Sequence, residues 1–208
     1  MYQPDAFRED RADLLAALIR AEPLGLLVSA PGGLPVADPV PFLLDAEQGP
    51  RGTLRAHVAR ANPHWRGLAA APDCLVVFQG PAAYVSPSLY ATKRETGKVV
   101  PTWNYVVVQV RGRARVIEDA AWLRRQIDDL TRAREAGRAE PWAVADAPEP
   151  FVAAQIRGIV GIEIPIEAMT GKWKVSQNRP EADRIGVAEG LAGEAPAMAG
   201  LVAERRQR

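Results

Sequence analysis

Val99-Val100-Pro101-Thr102-Trp103-Asn104-Tyr105-Val106-Val107-Val108-Gln109-Val110 joins a polar, aromatic entrance to a strongly apolar run. The β-branched residues from Val106 onward read as a buried strand that continues to Ile117, with Gly112 as a bulge. Such a strand does not require Thr102, Trp103, Asn104 and Tyr105 at its mouth for stability. A planar polar ligand, by contrast, needs flat faces and a few placed donors and acceptors. The competing interpretation takes Trp103 and Tyr105 as ordinary core aromatics and Asn104 as a turn residue.

Outward from this strand, the remaining patterns are those of a sheet with helices interpolated. Upstream, Asp10 caps an amphipathic helix ending near Ala21. Apolar strands follow over residues 24–30 and 36–44, the second confined to an edge by Pro39 and Pro41. Residues 53–58 alternate as a strand and give way to a helix over 59–71, and residues 74–79 form another buried strand. Residues 80–101 are a polar excursion of a length that is often functional. Downstream, Asp119 caps a helix to Ala136 with Trp122, Ile127 and Leu130 on its apolar face. A Pro-rich connector leads to a short helix over 151–158, a strand over 159–166 and a helix over 181–191, and the end from Gly193 is expected to fray. About six antiparallel segments without regular strand–helix alternation predict an α+β chain built on a closed or partly closed β-barrel with decorating helices, not a Rossmann sheet.

The 208 residues, 48% hydrophobic with a mean hydropathy of -0.13, suit one domain over residues 1–192 followed by a tail over 193–208. Lys and Arg number 26 against 25 Asp and Glu, for a net charge of +1. That balance removes any bulk electrostatic drive toward nucleic acid or anionic membrane. The one cysteine, Cys74, excludes an internal disulfide and reads as a buried small hydrophobe. A start without a signal-peptide pattern and the lack of a long apolar run predict a cytoplasmic protein, not a membrane one. His57 and His64 are not spaced as metal ligands, so no metal is expected.

No glycine-rich phosphate loop occurs, so a phosphate would have to be held by side chains. Arg55 and His57 alternate onto one strand face, where the Arg55 fork, His57 and the Thr53 hydroxyl could bind an anion, with Arg60 and the helix start at Asn62-Pro63 close behind. Alternatively, Arg55 is an exposed strand residue and His57 is satisfied by a carbonyl. The run Lys172-Trp173-Lys174-Val175-Ser176-Gln177-Asn178-Arg179 is a second candidate. Its lysines could neutralise a phosphate or a negative ring locus, and Gln177 and Asn178 can each donate and accept. Lysines also guard edge strands, and Ser-Gln-Asn-Arg-Pro can simply cap a helix. Neither histidine has an acid partner recognisable by spacing, which disfavours hydrolase chemistry.

Taken in order, several segments resemble the PaiB family of FMN-binding negative transcriptional regulators. They are Tyr2, Pro4 and Phe7; His57-Val58-Ala59-Arg60-Ala61-Asn62-Pro63-His64-Trp65; Phe78 through Pro87; Gly97 through Tyr105; Gly161-Ile162-Glu163-Ile164; and Gly171 through Asn178. The resemblance runs from Met1 to about Leu191, departing at Leu89, where the family tends to have Trp, and in Asp38-Pro39-Val40-Pro41-Phe42, where a histidine is common just ahead of the Pro-Phe. It implies the FMN-binding split β-barrel of pyridoxamine-phosphate oxidase-like flavoproteins, and a homodimer with flavin at the subunit interface. On that basis Thr53, Arg55 and His57, with Arg60 and Asn62 nearby, are expected to anchor the FMN phosphate. Thr102, Trp103, Asn104 and Tyr105 would border the ring, and Lys174, Gln177 and Asn178 would contribute from the partner subunit or close the pocket. Three functions remain open: a regulator that contacts DNA, an NAD(P)H-dependent flavin oxidoreductase without direct DNA binding, and a non-redox binder of a phosphorylated aromatic ligand. DNA contact has little to rest on beyond the arginines of the 119–136 helix, which neighbouring acids offset, and the basic tail Arg205-Arg206-Gln207-Arg208.

Overall fold

A computed structural model of the chain describes residues 1–204; the tail Arg205-Arg206-Gln207-Arg208 lies outside the described residues. In chain order the elements are β1 (Arg8–Glu9), α1 (Ala12–Ala21), β2 (Leu24–Ser29), β3 (Val36–Pro41), β4 (Leu43–Asp45), β5 (Thr53–Ala59), α2 (His64–Ala70), β6 (Asp73–Val85) and α3 (Ala91–Thr96). They continue with β7 (Thr102–Arg113), β8 (Arg115–Ile117), α4 (Ala120–Glu135), α5 (Glu149–Arg157), β9 (Ile159–Lys174), α6 (Glu181–Leu191) and α7 (Pro196–Glu204). The strands hydrogen-bond in the order β3-β2-β6-β7-β9-β5-β4, and β1 and β8 also pair with β9.

The edge position of β3 follows from Pro39 and Pro41, which cannot donate to an inner ladder. Strand β5 runs antiparallel to β9 from Thr53↔Pro165 to Ala59↔Ile159. Its alternation buries Leu54, Ala56 and Val58 and places Thr53, Arg55 and His57 on the opposite face.

Several elements differ from the sequence expectation. Strand β6 runs from Asp73 to Val85, past Gln79 into the segment expected as a polar excursion, and the strand expected over 36–44 is divided into β3 and β4. The helix expected over 59–71 begins only at His64, because β5 keeps its ladder with β9 to Ala59. Strand β9 does not stop at Ile166 but reaches Lys174, because β1 supplies a ladder there through Arg8↔Lys172 and Glu9↔Gly171. Strand β7 ends at Arg113, and the Ala114 N–H turns instead to the Pro72 carbonyl at 2.8 Å. Gly112 serves a close approach: a Cβ there would lie 2.3 Å from the Pro165 carbonyl oxygen. Finally, the end expected to fray carries α7, which buries Met198, Ala199 and Val202 and packs on α6.

By packing, the described chain divides into two compact units. One comprises Met1–Leu15, Gln79–Val108 and the residues from Thr170 on. Here Val85, Tyr90, Val106, Val108, Trp173, Val175, Val187 and Leu191 are buried. Leu89 seats against α6, where a Cβ at Gly190 would come within 2.3 Å of its Cδ2. The other unit comprises Ala16–Phe78 and Gln109–Met169. Its buried residues include Leu27, Leu54, Leu68, Val76, Ile162 and Ile164, with Phe42 and Phe78 edge to face at 5.8 Å. A second cluster in this unit joins Leu123 of α4 to Val144, Val152 and Ile156, with Trp122 and Ile127 half-buried against it. The most buried positions of α4 are Leu123 and Gln126, which lie beside Trp122 and Ile127 of the predicted stripe. No helix of the described residues is long and apolar enough to cross a membrane.

Candidate functional site

The structure places the predicted site residues in two sets, each within one unit. Thr53, Arg55, His57, Arg60 and Asn62 belong to the unit of Ala16–Phe78 and Gln109–Met169; Thr102 through Tyr105, Lys174, Gln177 and Asn178 belong to the other.

In the first set most polar atoms are already engaged. The Thr53 hydroxyl donates to the Gln48 carbonyl at 2.8 Å. Arg55 Nη2 donates to Asp129 Oδ2 of α4 at 2.8 Å, and Arg55 Nε lies 3.9 Å from Asp45 Oδ2. Two carboxylates therefore already face this guanidinium, which weakens its attraction for a further anion. Arg60 closes the end of α5, donating to the carbonyls of Arg157 at 3.0 Å and Ile159 at 3.2 Å and to Glu118 at 2.5 Å. Asn62 Oδ1 accepts from the His64 N–H at 2.9 Å, so the helix-start amide expected to meet an anion is capped by the chain itself. His57 keeps a buried Nδ1 without a hydrogen-bond partner, and burial pushes its pKa down from 6.5, favouring the neutral ring.

The same unit contains an acid–histidine pair that spacing did not reveal. His64 Nδ1 and Asp38 Oδ2 are 2.8 Å apart, and His64 Nε2 and Ser29 Oγ are also 2.8 Å apart. Asn62 Nδ2 donates to the same Asp38 oxygen at 3.0 Å. Hydrogen bonds from Asn62 and His64 hold the Asp38 carboxyl below its usual range. The connectivity is that of a serine nucleophile, but the accessibility is reversed: Ser29 is 4% exposed while the Asp38 side chain is 32% exposed. The chain of bonds anchors α2 to the β2–β3 hairpin.

The second set is differently built. Lys172 and Lys174, two apart on β9, hold their Nζ atoms 5.3 and 5.9 Å from the centroid of the Tyr105 ring. Lys172 also lies 5.4 Å from the Tyr2 ring centroid and donates to the Tyr2 carbonyl at 3.1 Å. Lys174 donates to the Thr102 hydroxyl and, at 2.6 Å, to the Trp103 carbonyl. Burial, and then the charges of Lys172 and Arg179, push the Lys174 pKa below its usual 10.5. Trp103 and Tyr84, both about half exposed, meet edge to face at 5.9 Å.

Asn104 is buried; its Nδ2 donates to Ser176 Oγ at 2.9 Å, and its Oδ1 has no hydrogen-bond partner. Ser176 takes a φ of 65°, the left-handed region that costs a non-glycine residue roughly 1–2 kcal/mol. That conformation presents its hydroxyl to Asn104. Gln177 folds onto its own main chain, accepting from the Val175 N–H at 2.8 Å and donating to the Trp173 carbonyl. Asn178 is exposed. Clustered cations, an orphaned amide oxygen and an exposed aromatic pair fit a planar ligand that carries negative charge. Ser176 and Tyr84 lie within runs that the sequence marks, but only the backbone angle and the ring contact give them a place at the site.

Residues 1–168 match the family described as "Putative FMN-binding domain". The chain is 31% identical to the Protease synthase and sporulation protein PAI 2 of Bacillus subtilis, over 98% of this chain and 95% of that protein. It is 37% identical to an uncharacterized protein of Aspergillus fumigatus, over 92% of this chain and 90% of that one. Among solved structures, a conserved hypothetical protein from Mycobacterium tuberculosis superposes with a TM-score of 0.60 at 13% identity, covering 87% of this chain and 95% of that one. The FAD and heme binding protein from Mycobacterium smegmatis gives 0.58 at 20% identity, covering 80% and 73%. These likenesses carry the fold, and it is the α+β split-barrel class expected from the sequence.

Proposed function

The chain belongs to the "Putative FMN-binding domain" family, a PaiB-like protein with FMN as its cofactor, and from that premise we propose that the flavin lies at the interface of a cytoplasmic homodimer acting as a negative transcriptional regulator. The observation that carries the placement of the flavin is the second set of residues. Among the described residues, the ammonium groups of Lys172 and Lys174 meet the oxygens of Tyr2, Thr102 and Trp103, none of them a carboxylate. Partly buried cations without a counter-ion favour an anionic ligand.

The phosphate or the anionic edge of the ring is assigned to Lys172 and Lys174, with Thr102 and Asn104 hydrogen-bonding at the ring and Trp103 and Tyr105 bordering it. Gln177 and Asn178 would close the pocket from the partner subunit. The alternative phosphate anchor, Arg55 with Thr53 and His57, would have to share the guanidinium with Asp129 and Asp45. When bound, FMN supplies a ring that accepts and returns electrons; the side chains supply charge balance and orientation. In an equilibrium FMN titration, Lys174→Gln is expected to weaken binding about tenfold or more, and Arg55→Ala to leave it unchanged. The reverse pattern would move the phosphate to Arg55.

Support for regulation comes from the Bacillus subtilis relative, whose name refers to protease synthesis and sporulation. A second reading, an oxidoreductase that consumes NAD(P)H without contacting DNA, is favoured by α4. There Arg124 pairs with Asp128 and Glu149, and Arg132 with Asp129, so those arginines do not form a free basic stripe. A gel-shift assay with FMN-loaded protein decides between them. Sequence-dependent, salt-sensitive retardation supports the regulator; no retardation at low salt, with NAD(P)H bleaching the flavin, supports the oxidoreductase.

A further inference from the structure

Lysine is scarce in this chain: of 26 Lys and Arg residues, only Lys93, Lys98, Lys172 and Lys174 are lysines. Two of the four stand on one face of β9, both within 6 Å of the Tyr105 ring centroid at 5.3 and 5.9 Å. They are held in different ways. Lys172 is 7% exposed and lies against the rings of Tyr2 and Tyr105.

Lys174 donates to two acceptors, the Thr102 hydroxyl and the Trp103 carbonyl. In its deprotonated form the amine keeps two N–H bonds, which these two acceptors can take, so that the lone pair is then free to attack. Lysines become nucleophilic when desolvated or set beside other cations, and Lys174 meets both conditions. The residue whose carbonyl it binds, Trp103, presents its exposed indole together with the Tyr84 ring. A positively charged neighbourhood and an aromatic surface thus adjoin one poised amine.

We propose that Lys174 is a reactive amine that forms an imine with aromatic aldehydes bearing a phosphate or carboxylate, selected by the charge of Lys172 and by the Trp103–Tyr84 surface. The amine nitrogen attacks the carbonyl carbon and the carbonyl oxygen takes up a proton. Loss of one water from the resulting carbinolamine then leaves the C=N bond, with no oxidant or reductant consumed. The proposal shares its cations with the FMN placement but does not use the flavin, so the two can fail separately.

The test is competitive labelling of the whole protein with substoichiometric pyridoxal phosphate at neutral pH, trapping with borohydride and mapping the modified peptides. Borohydride adds a hydride to the imine carbon and fixes the adduct as a secondary amine. Lys174 is expected to label about ten times faster than the exposed Lys93 and Lys98, the reference amines in the same chain. Inorganic phosphate should slow Lys174 alone, and uncharged benzaldehyde should show less preference for it. Lys174→Arg should remove that adduct while Lys93 and Lys98 label as before. Labelling of Lys174 no faster than Lys93 and Lys98, or preferential labelling of Lys172, overturns the proposal. Selective Lys174 labelling with FMN affinity unchanged in Lys174→Gln upholds the amine and overturns the flavin placement; unselective labelling with that affinity lost does the opposite.

Discussion

His64 gains its meaning from two residues far away in the chain. Asp38 stands 26 positions before it and Ser29 stands 35 before, and both lie 2.8 Å from its ring nitrogens. Spacing could not reveal this, since the β2–β3 hairpin brings the partners in. Replacing Asp38 with Ala would leave His64 Nδ1 and Asn62 Nδ2 without their acceptor in a buried setting. The expected loss is about 1–3 kcal/mol of unfolding free energy, read by urea denaturation. A variant as stable as the parent would show that the bonds contribute nothing net. Arg55 makes the complementary point. Its type and strand position were legible, but the Asp129 carboxylate that engages it comes from α4 and cannot be inferred from the alternation of β5.

At the scale of elements, α4 shows a helix whose extent and apolar face are legible but whose deepest positions are not. Asp119 caps it as expected, accepting from the Trp122 N–H at 2.7 Å. The turn it buries deepest contains Gln126, whose two amide atoms have no hydrogen-bond partner. Trp122 and Ile127 of the expected face do pack against the core, but hydrophobic periodicity does not place an amide beside them. Trp122 occupies the space above Gly161, where a Cβ would come within 2.4 Å of its ring. Glycine is required there by the close approach of the indole. Gln126→Leu is expected to be neutral or to stabilise the protein by about 1 kcal/mol, because it removes two unsatisfied polar atoms at nearly constant volume. Thermal and urea melts check it; a loss of stability would show that the amide is bonded in solution.

At the scale of the whole molecule, buried titratable groups shape stability against pH. His57 has a folded pKa held below 6.5 by burial, so as pH falls through 6.5 the unfolded chain takes up the proton first and stability declines. Burial raises the Cys74 thiol from 9.0 to about 12, so above 9.0 the unfolded chain loses its proton first and stability declines again. Lys174 acts oppositely: its folded pKa lies below 10.5, and stability rises with pH between the two values. Urea melts across pH should therefore show an acid limb of at most about 1.4 kcal/mol per pH unit from His57. That contribution should vanish in His57→Leu, and an unchanged acid limb would remove His57 as its source. The α+β barrel class, most strands and helices, and the two candidate runs were written in the sequence by itself. Alternation, capping residues and proline positions are local, and each leaves a mark within a few residues. The tertiary structure alone decided that β9 extends to meet β1, that α7 is ordered against α6, and that, among the described residues, Arg55 faces carboxylates while the lysines of β9 do not. Those outcomes depend on which distant segments supply hydrogen bonds, burial and counter-charge, and folding alone brings those segments together.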